Sequence, residues 1–180
     1  MQIYTKAGDD GTTGLFLGGR VSKADALMAA CGDIDEAVSA LGVARSQAEA
    51  ELAERVLAIQ RDLFVVAADL ATNPGHRDRL KPGVSLVTAA MVERLEQWID
   101  AAVAVRPLRP VFIVPGATPV AAALDHARAV VRRAERSVVS LRERGAVVSD
   151  EAARYLNRLS DAVFVLARGA AGDDEPPSHE

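Results

Sequence analysis

The chain has 180 residues and a mass of 19.0 kDa, of which 49% are apolar and 26% charged. That is enough for one self-sufficient core, and too apolar for a disordered chain. Aromatics are only 4% while Ala, Val, Leu and Arg recur, which favours helices over a β-sandwich; the 21 Lys plus Arg against 25 Asp plus Glu, a net charge of -4, argue against a protein that coats nucleic acid.

In chain order, the first feature is Tyr4-Thr5-Lys6-Ala7-Gly8-Asp9-Asp10-Gly11-Thr12-Thr13-Gly14, followed by Gly18-Gly19-Arg20. Lys6 is followed at once by acids and no apolar stretch, so this is not a signal peptide. Glycines at 8, 11 and 14 let backbone N–H groups converge beside a lysine and hydroxyls, the recipe for holding a polyphosphate. It is not a Walker loop, because Arg20-Val21 stands where Lys-Ser/Thr is required, and it lacks the acid order of an EF-hand. On composition alone, such a stretch is more often a turn-rich surface loop.

Five segments with helical spacing follow. The first, about residues 24–46, carries Leu27, Cys31, Ile34, Val38 and Leu41. Cys31 is the only cysteine, so no intrachain disulfide forms. The second, about residues 49–71, repeats the spacing at Leu52, Val56, Ile59, Leu63, Val66 and Leu70, and Asn73-Pro74-Gly75 stops it. The third, about residues 85–104, carries Val87, Met91, Leu95, Trp98 and Ala102. A Pro-rich loop at 106–116, with Val111-Phe112-Ile113-Val114 inside it, leads to Thr118-Pro119, a helix start. The fourth segment's seam is Val120, Leu124, Ala127, Val131, Ala134, Val138 and Leu141. The fifth starts at Ser149 with Asp150 and Glu151 in its first turn, has a stripe of Leu156, Leu159, Val163 and Leu166, and is expected to end at Gly169. Alternating steps of four and three predict helices packed nearly parallel. No apolar run reaches the ~18–20 residues of a membrane span. The expected fold is all-α: a five-helix up-and-down bundle, ferritin-like in general shape, with an N-terminal Gly-rich loop. Residues 1–170 form one domain, and the acidic, proline-bearing tail at 171–180 is expected to be disordered. A cytoplasmic location is expected.

Charged residues flank the fourth seam. At 100° per residue, Arg128, Arg132 and Glu135 lie within about 60° of one another beside Leu124, Ala127 and Val131. Such side chains are partly buried against a neighbour and need anionic partners, or they form a solvated arginine face. Asp33, Asp35 and Glu36 sit in the first helix, and Asn157 and Asp161 share a face of the fifth. His76, His126 and His179 are scattered, with no Glu-x-x-His, which excludes zinc and di-iron patterns and leaves no hydrolytic triad.

Together these blocks resemble the PduO-type ATP:cob(I)alamin adenosyltransferases, from about residue 3 to 168. The resemblance rests on the Tyr4 to Gly14 run, Arg132-Arg133-Ala134-Glu135-Arg136 and Tyr155-Leu156-Asn157-Arg158-Leu159-Ser160-Asp161. Gly32-Asp33-Ile34-Asp35-Glu36 and Phe112-Ile113-Val114-Pro115-Gly116 add to it. It implies a homotrimer with ATP between subunits. ATP would be bound by Thr5, Lys6, Ala7, Gly8, Thr13, Gly14 and Lys23 from the loop, with Arg132, Arg133, Glu135, Arg136 and Asn157. Glu135 is the implied link to Mg2+, Asp35 and Arg128 an implied ion pair across the interface, and Phe112 the residue at the lower face of cobalamin. Arg128, Arg132, Asp35 and Phe112 are the implied catalytic set. A mutase that receives the product and a reductase are implied partners.

The implied reaction transfers the 5′-deoxyadenosyl group of ATP to the cobalt of cob(I)alamin, releasing triphosphate, and needs no protein base. The competing expectation is a non-catalytic bundle that binds ATP or adenosylcobalamin and delivers it to a partner enzyme. Ala117, Val38 and Ala129 depart from the residues usual in the family.

Overall fold

The computed structural model describes residues 4–172 and 175–179. Among the described residues there are five α-helices and a two-stranded sheet. Helix α1, Ala26–Arg45, starts where the Asp25 side chain accepts from the Leu27 N–H, and α2 is Ala50–Leu70. Helix α3 is Ala89–Val105, shorter than the spacing predicts at its start. Residues before it are occupied elsewhere: the N–H groups of Ser85 and Leu86 both donate to the Lys81 carbonyl, and the Lys81 N–H donates to Ser85 Oγ. Val87 is buried, as its place in the stripe requires, but it lies ahead of the helix.

Helix α4, Pro119–Glu143, opens with Thr118 accepting from the Ala121 N–H and is about 37 Å long at 1.5 Å per residue. Helix α5, Asp150–Ala171, opens with Ser149 accepting from the Ala152 N–H. Gly169 does not end it. A lone glycine costs about 1 kcal/mol in a helix, and the burial of Leu166, Ala167, Arg168 and Ala171 carries the helix past it. The stop is Gly172, at φ 72.

Helix α1 packs on α2 and α4, α4 on α5, and α5 on α3. The apolar seams meet inside, with Ile34, Leu41, Leu63, Leu124, Leu156 and Leu159 fully or almost fully buried. Two buried carboxylates cross-link the helices. Asp62 accepts from the Tyr155 hydroxyl at 2.9 Å and pairs with Arg94. Burial, then the Asp62 charge, holds the Tyr155 hydroxyl well above its ordinary pKa. Asp69 ties the end of α2 to three other segments.

The N-terminal stretch contains a hairpin. Strand β1, Thr12–Gly14, pairs antiparallel with β2, Arg20–Ser22. Its tip docks on the end of α2: the Phe16 N–H donates to Ala71 O at 2.8 Å and the Asn73 N–H to Phe16 O at 3.0 Å. Asn73 Nδ2 also donates to Gly18 O at 3.0 Å. Only glycine suits position 19, where φ is 89 and a Cβ would lie 2.9 Å from Asn73 Nδ2. Among the described residues no helix is long and apolar enough to cross a membrane.

Candidate functional site

The N-terminal cradle is held open by its own polar groups. Arg20 runs beneath it, donating through Nε to Thr12 Oγ1 at 2.9 Å and through Nη2 to the Ala7 carbonyl at 2.5 Å. Asp10 accepts from the Thr12 N–H at 2.9 Å and the Thr12 hydroxyl at 2.8 Å. These bonds, with Arg20 nearby, hold its carboxyl below the usual aspartate value. Lys23 Nζ donates to Gly8 O at 2.8 Å, and a Cβ at Gly8 would meet that ammonium at 3.0 Å. Lys6 sits at φ 61 with an exposed side chain. The loop therefore presents two exposed lysines, Lys6 and the Gly8-bound Lys23, and the hydroxyls of Thr5 and Thr13.

A second charged surface lies along α4. Arg133 Nε donates to Asp33 Oδ1 at 3.0 Å and the same guanidinium pairs with Glu36. Ser137 Oγ donates to the other Asp33 oxygen at 2.6 Å. Glu36 and then Asp33 hold Arg133 more firmly protonated than a free guanidinium. Asn157 Nδ2 on α5 donates to Glu135 Oε1 at 2.8 Å, so those two residues meet as one unit. Arg132 and Arg136, one turn apart and about 40° from each other in the helical wheel, are both exposed on the same side of Arg133, and neither makes an ion pair among the described residues. The surface thus offers two uncommitted guanidiniums, while the third is spoken for by α1.

Arg128 and Asp35 do not meet within the chain. Arg128 Nε is buried without a hydrogen bond and lies 3.9 Å from Asp125 Oδ1, with its guanidinium over the Phe164 ring. Asp35 is exposed on α1. Nor does any hydrogen bond or ion pair among the described residues join the N-terminal cradle to Arg132, Glu135 or Asn157.

Phe112 stands at 85% exposure in the connection between α3 and α4. The acidic tail, expected to be disordered, reaches it over its described residues. The Ser178 N–H donates to Phe112 O at 2.8 Å and the Val114 N–H to Pro176 O at 2.9 Å. Glu175 is buried, 2.5 Å from Arg168 Nη1. Asp173 and Asp174 lie outside the described residues.

A family profile described as cobalamin adenosyltransferase matches residues 3–170. The chain belongs to the cobalamin adenosyltransferase family. A corrinoid adenosyltransferase of Mycobacterium tuberculosis (strain ATCC 25618 / H37Rv) is 43% identical over 183 residues, covering 97% of this chain and 91% of the relative. The corrinoid adenosyltransferase of Citrobacter freundii is 41% identical, covering 93% of each chain. In three dimensions, a variant PduO-type ATP:corrinoid adenosyltransferase from Lactobacillus reuteri, complexed with cobalamin and ATP, superposes with a TM-score of 0.87. It is 34% identical and is matched over 95% of its length and 98% of this chain.

Several organising residues carry no local sign of their roles. Arg20, where a Walker loop would have its lysine, braces the cradle instead. Asn73 stops α2, and its amide also anchors the hairpin. Ser137 has no motif around it and is recruited by Asp33. Glu175 lies in the acidic tail expected to be disordered, and its partners come from other elements.

Proposed function

We propose that this protein transfers the 5′-deoxyadenosyl group of ATP to the cobalt of cob(I)alamin, giving adenosylcobalamin and triphosphate. The support is the family match over residues 3–170 together with the exposure of Lys6, Arg132 and Phe112, the side chains that this chemistry would use. Thr5, Lys6, Ala7, Gly8, Thr13, Gly14 and Lys23 would wrap the triphosphate. Arg132, Arg133, Glu135, Arg136 and Asn157 would close the nucleotide site, with Arg133 oriented by Asp33 and Glu36.

In this reading the cobalt(I) electron pair attacks the 5′ carbon, the carbon–cobalt bond forms, and the carbon–oxygen bond breaks with its electrons leaving on triphosphate. The chain aligns nucleophile and carbon in line. Lys6, Arg132 and Arg136 stabilise the charge that builds on the leaving group. The displacement needs no protein base. Phe112 supplies an apolar face that holds the lower axial ligand away from cobalt, easing reduction to cobalt(I).

Glu135 fits a role as the protein's contribution to Mg2+. That ion characteristically takes one or two carboxylates and completes its shell with phosphate and water, and among the described residues no cluster of three ligating side chains competes for it. When bound, the ion would add positive charge against the phosphates. Assembly as a homotrimer of up-and-down helical bundles fits the partly exposed Arg128 guanidinium, which makes no hydrogen bond through Nε and only a 3.9 Å ion pair within its own chain, and which Asp35 of a neighbouring copy would pair. It also fits the lack, among the described residues, of any hydrogen bond or ion pair joining the cradle to Arg132, Glu135 or Asn157.

The decisive assay mixes protein, ATP, Mg2+ and chemically reduced cobalamin and follows the visible spectrum. The adenosylcobalamin spectrum should grow in with stoichiometric triphosphate. Binding of ATP without any alkylation of the corrin would overturn the enzymatic reading.

A further inference from the structure

The connection that carries Phe112 cannot hold its own shape. Pro107, Pro110 and Pro115 contribute no N–H, and among the described residues no backbone hydrogen bond joins two residues of 107–117. Phe112 gains no rigidity from packing either, because its ring is exposed. Yet a wedge against a corrin works only if it is held in place before the ligand arrives.

The tail supplies what the loop lacks. Val114 and Phe112 bond to Pro176 and Ser178 in an antiparallel bridge that sets Ile113 opposite Pro177. The two bonds clasp the backbone at Phe112 and two residues beyond it. In this alternating geometry Phe112 and Val114 project to one side and Ile113 to the other; Ile113 is half-buried while Phe112 stays exposed. The clasp is anchored at Glu175. Its carboxylate sits 7% exposed against Arg168, itself 5% exposed and also bound to Asp125. Its carbonyl accepts from Arg109 Nη1 at 2.8 Å, which ties the anchor back to the same loop. A buried carboxylate is costly unless paired, so the Arg168 contact fixes where the following strand begins.

We infer that Glu175 and the strand after it are a positioning element for the corrinoid side of the site, fixing the backbone from which Phe112 projects. Glu175 touches neither substrate; it acts through residues 112–114. This rests on the reading of Phe112 given above.

The test compares the full chain with Glu175→Gln and with a chain ending at Asp174. With ATP saturating, the shortened chain should lose about tenfold in kcat/KM for cob(I)alamin, the size of two modest hydrogen bonds. Glu175→Gln should lose less. KM for ATP should stay within about twofold in both. The spectrum of four-coordinate cob(II)alamin, formed with ATP present, should weaken in parallel, and amide exchange over 110–116 should accelerate. Thermal midpoints confirm that the shortened chain is folded.

Unchanged corrinoid kinetics in both variants, or equal losses for ATP and corrinoid, would overturn the assignment. If the full chain itself fails to alkylate cobalamin, the functional reading falls instead. Exchange over 110–116 then still decides whether the tail clasps the loop, and unaltered exchange would refute that.

Discussion

Asp69→Ala tests how the helices that carry the site are held together. Asp69 is completely buried near the end of α2. Oδ1 accepts from Arg77 Nη2 at 2.5 Å; Oδ2 accepts from the Val87 N–H at 3.1 Å and from the Ser149 hydroxyl at 2.7 Å. One carboxylate therefore joins α2, the 3-10 turn Pro74–Arg79, the approach to α3 and the cap of α5. Alanine removes the acceptor from all three donors. Breaking a buried charge pair costs about 3–5 kcal/mol, and orphaning a buried N–H about 1–3 kcal/mol. The two overlap. Arg77 retains the Asp69 carbonyl through Nη1 at 2.8 Å and keeps some solvent access, which places the sum at about 4 kcal/mol. At about 2–4 °C per kcal/mol, the thermal midpoint should fall by roughly 8–16 °C. Urea unfolding followed by far-UV circular dichroism measures the free-energy loss directly, and a thermal scan the midpoint. Asp69→Asn keeps one acceptor oxygen and should lose about half as much. A loss below about 1 kcal/mol for the alanine variant, with an unchanged denaturant slope, would refute the claim that this carboxylate is a structural hub.

Arg132→Ala should lower kcat by about 10²–10³-fold, as loss of one charge-stabilising donor does, while the melting temperature stays within about 2 °C because the side chain is exposed; steady-state kinetics beside a thermal melt would expose an unchanged rate. Phe112→Ala should abolish most four-coordinate cobalamin with ATP affinity retained, since the ring packs on little of the protein; titrating ATP in parallel would reveal general loop damage if both fall. Burial raises the Cys31 thiol from 9.0 to about 11. The folded state then holds more protons than the unfolded chain between those values, so this group's contribution to stability falls as pH rises through that window. Thiol-reagent kinetics should reach half-maximum near the upper value, and a midpoint near 9.0 would refute the burial argument.

What the sequence determined by itself is largely what local periodicity and caps control. Ile34, Leu63, Leu95, Leu124 and Leu159 lie at steps of three and four, and all of them are buried. Thr118 and Ser149 cap helices because a side-chain oxygen reaches an N–H only three residues ahead; the Asp25 cap of α1 is seen only in the structure. The glycine-lysine-hydroxyl cradle and the α4 arginines were equally legible as residues, since each block is contiguous. Local signals failed where a neighbour outweighed them: Gly169 did not stop α5, because burial on both sides exceeds the intrinsic cost of one glycine.

Only the tertiary structure decided who pairs with whom. Asp33 and Arg133 are 100 residues apart in the chain, yet they share a hydrogen bond. Nothing in the spacing around Arg133 separates it from the free Arg132. Glu175 has the composition of a solvated tail, and it is buried because Arg168 and Arg109 arrive from elsewhere in the fold. Period and propensity act over a few residues, whereas the charge state and neighbours of a buried side chain depend on which elements the packed core brings within hydrogen-bond reach.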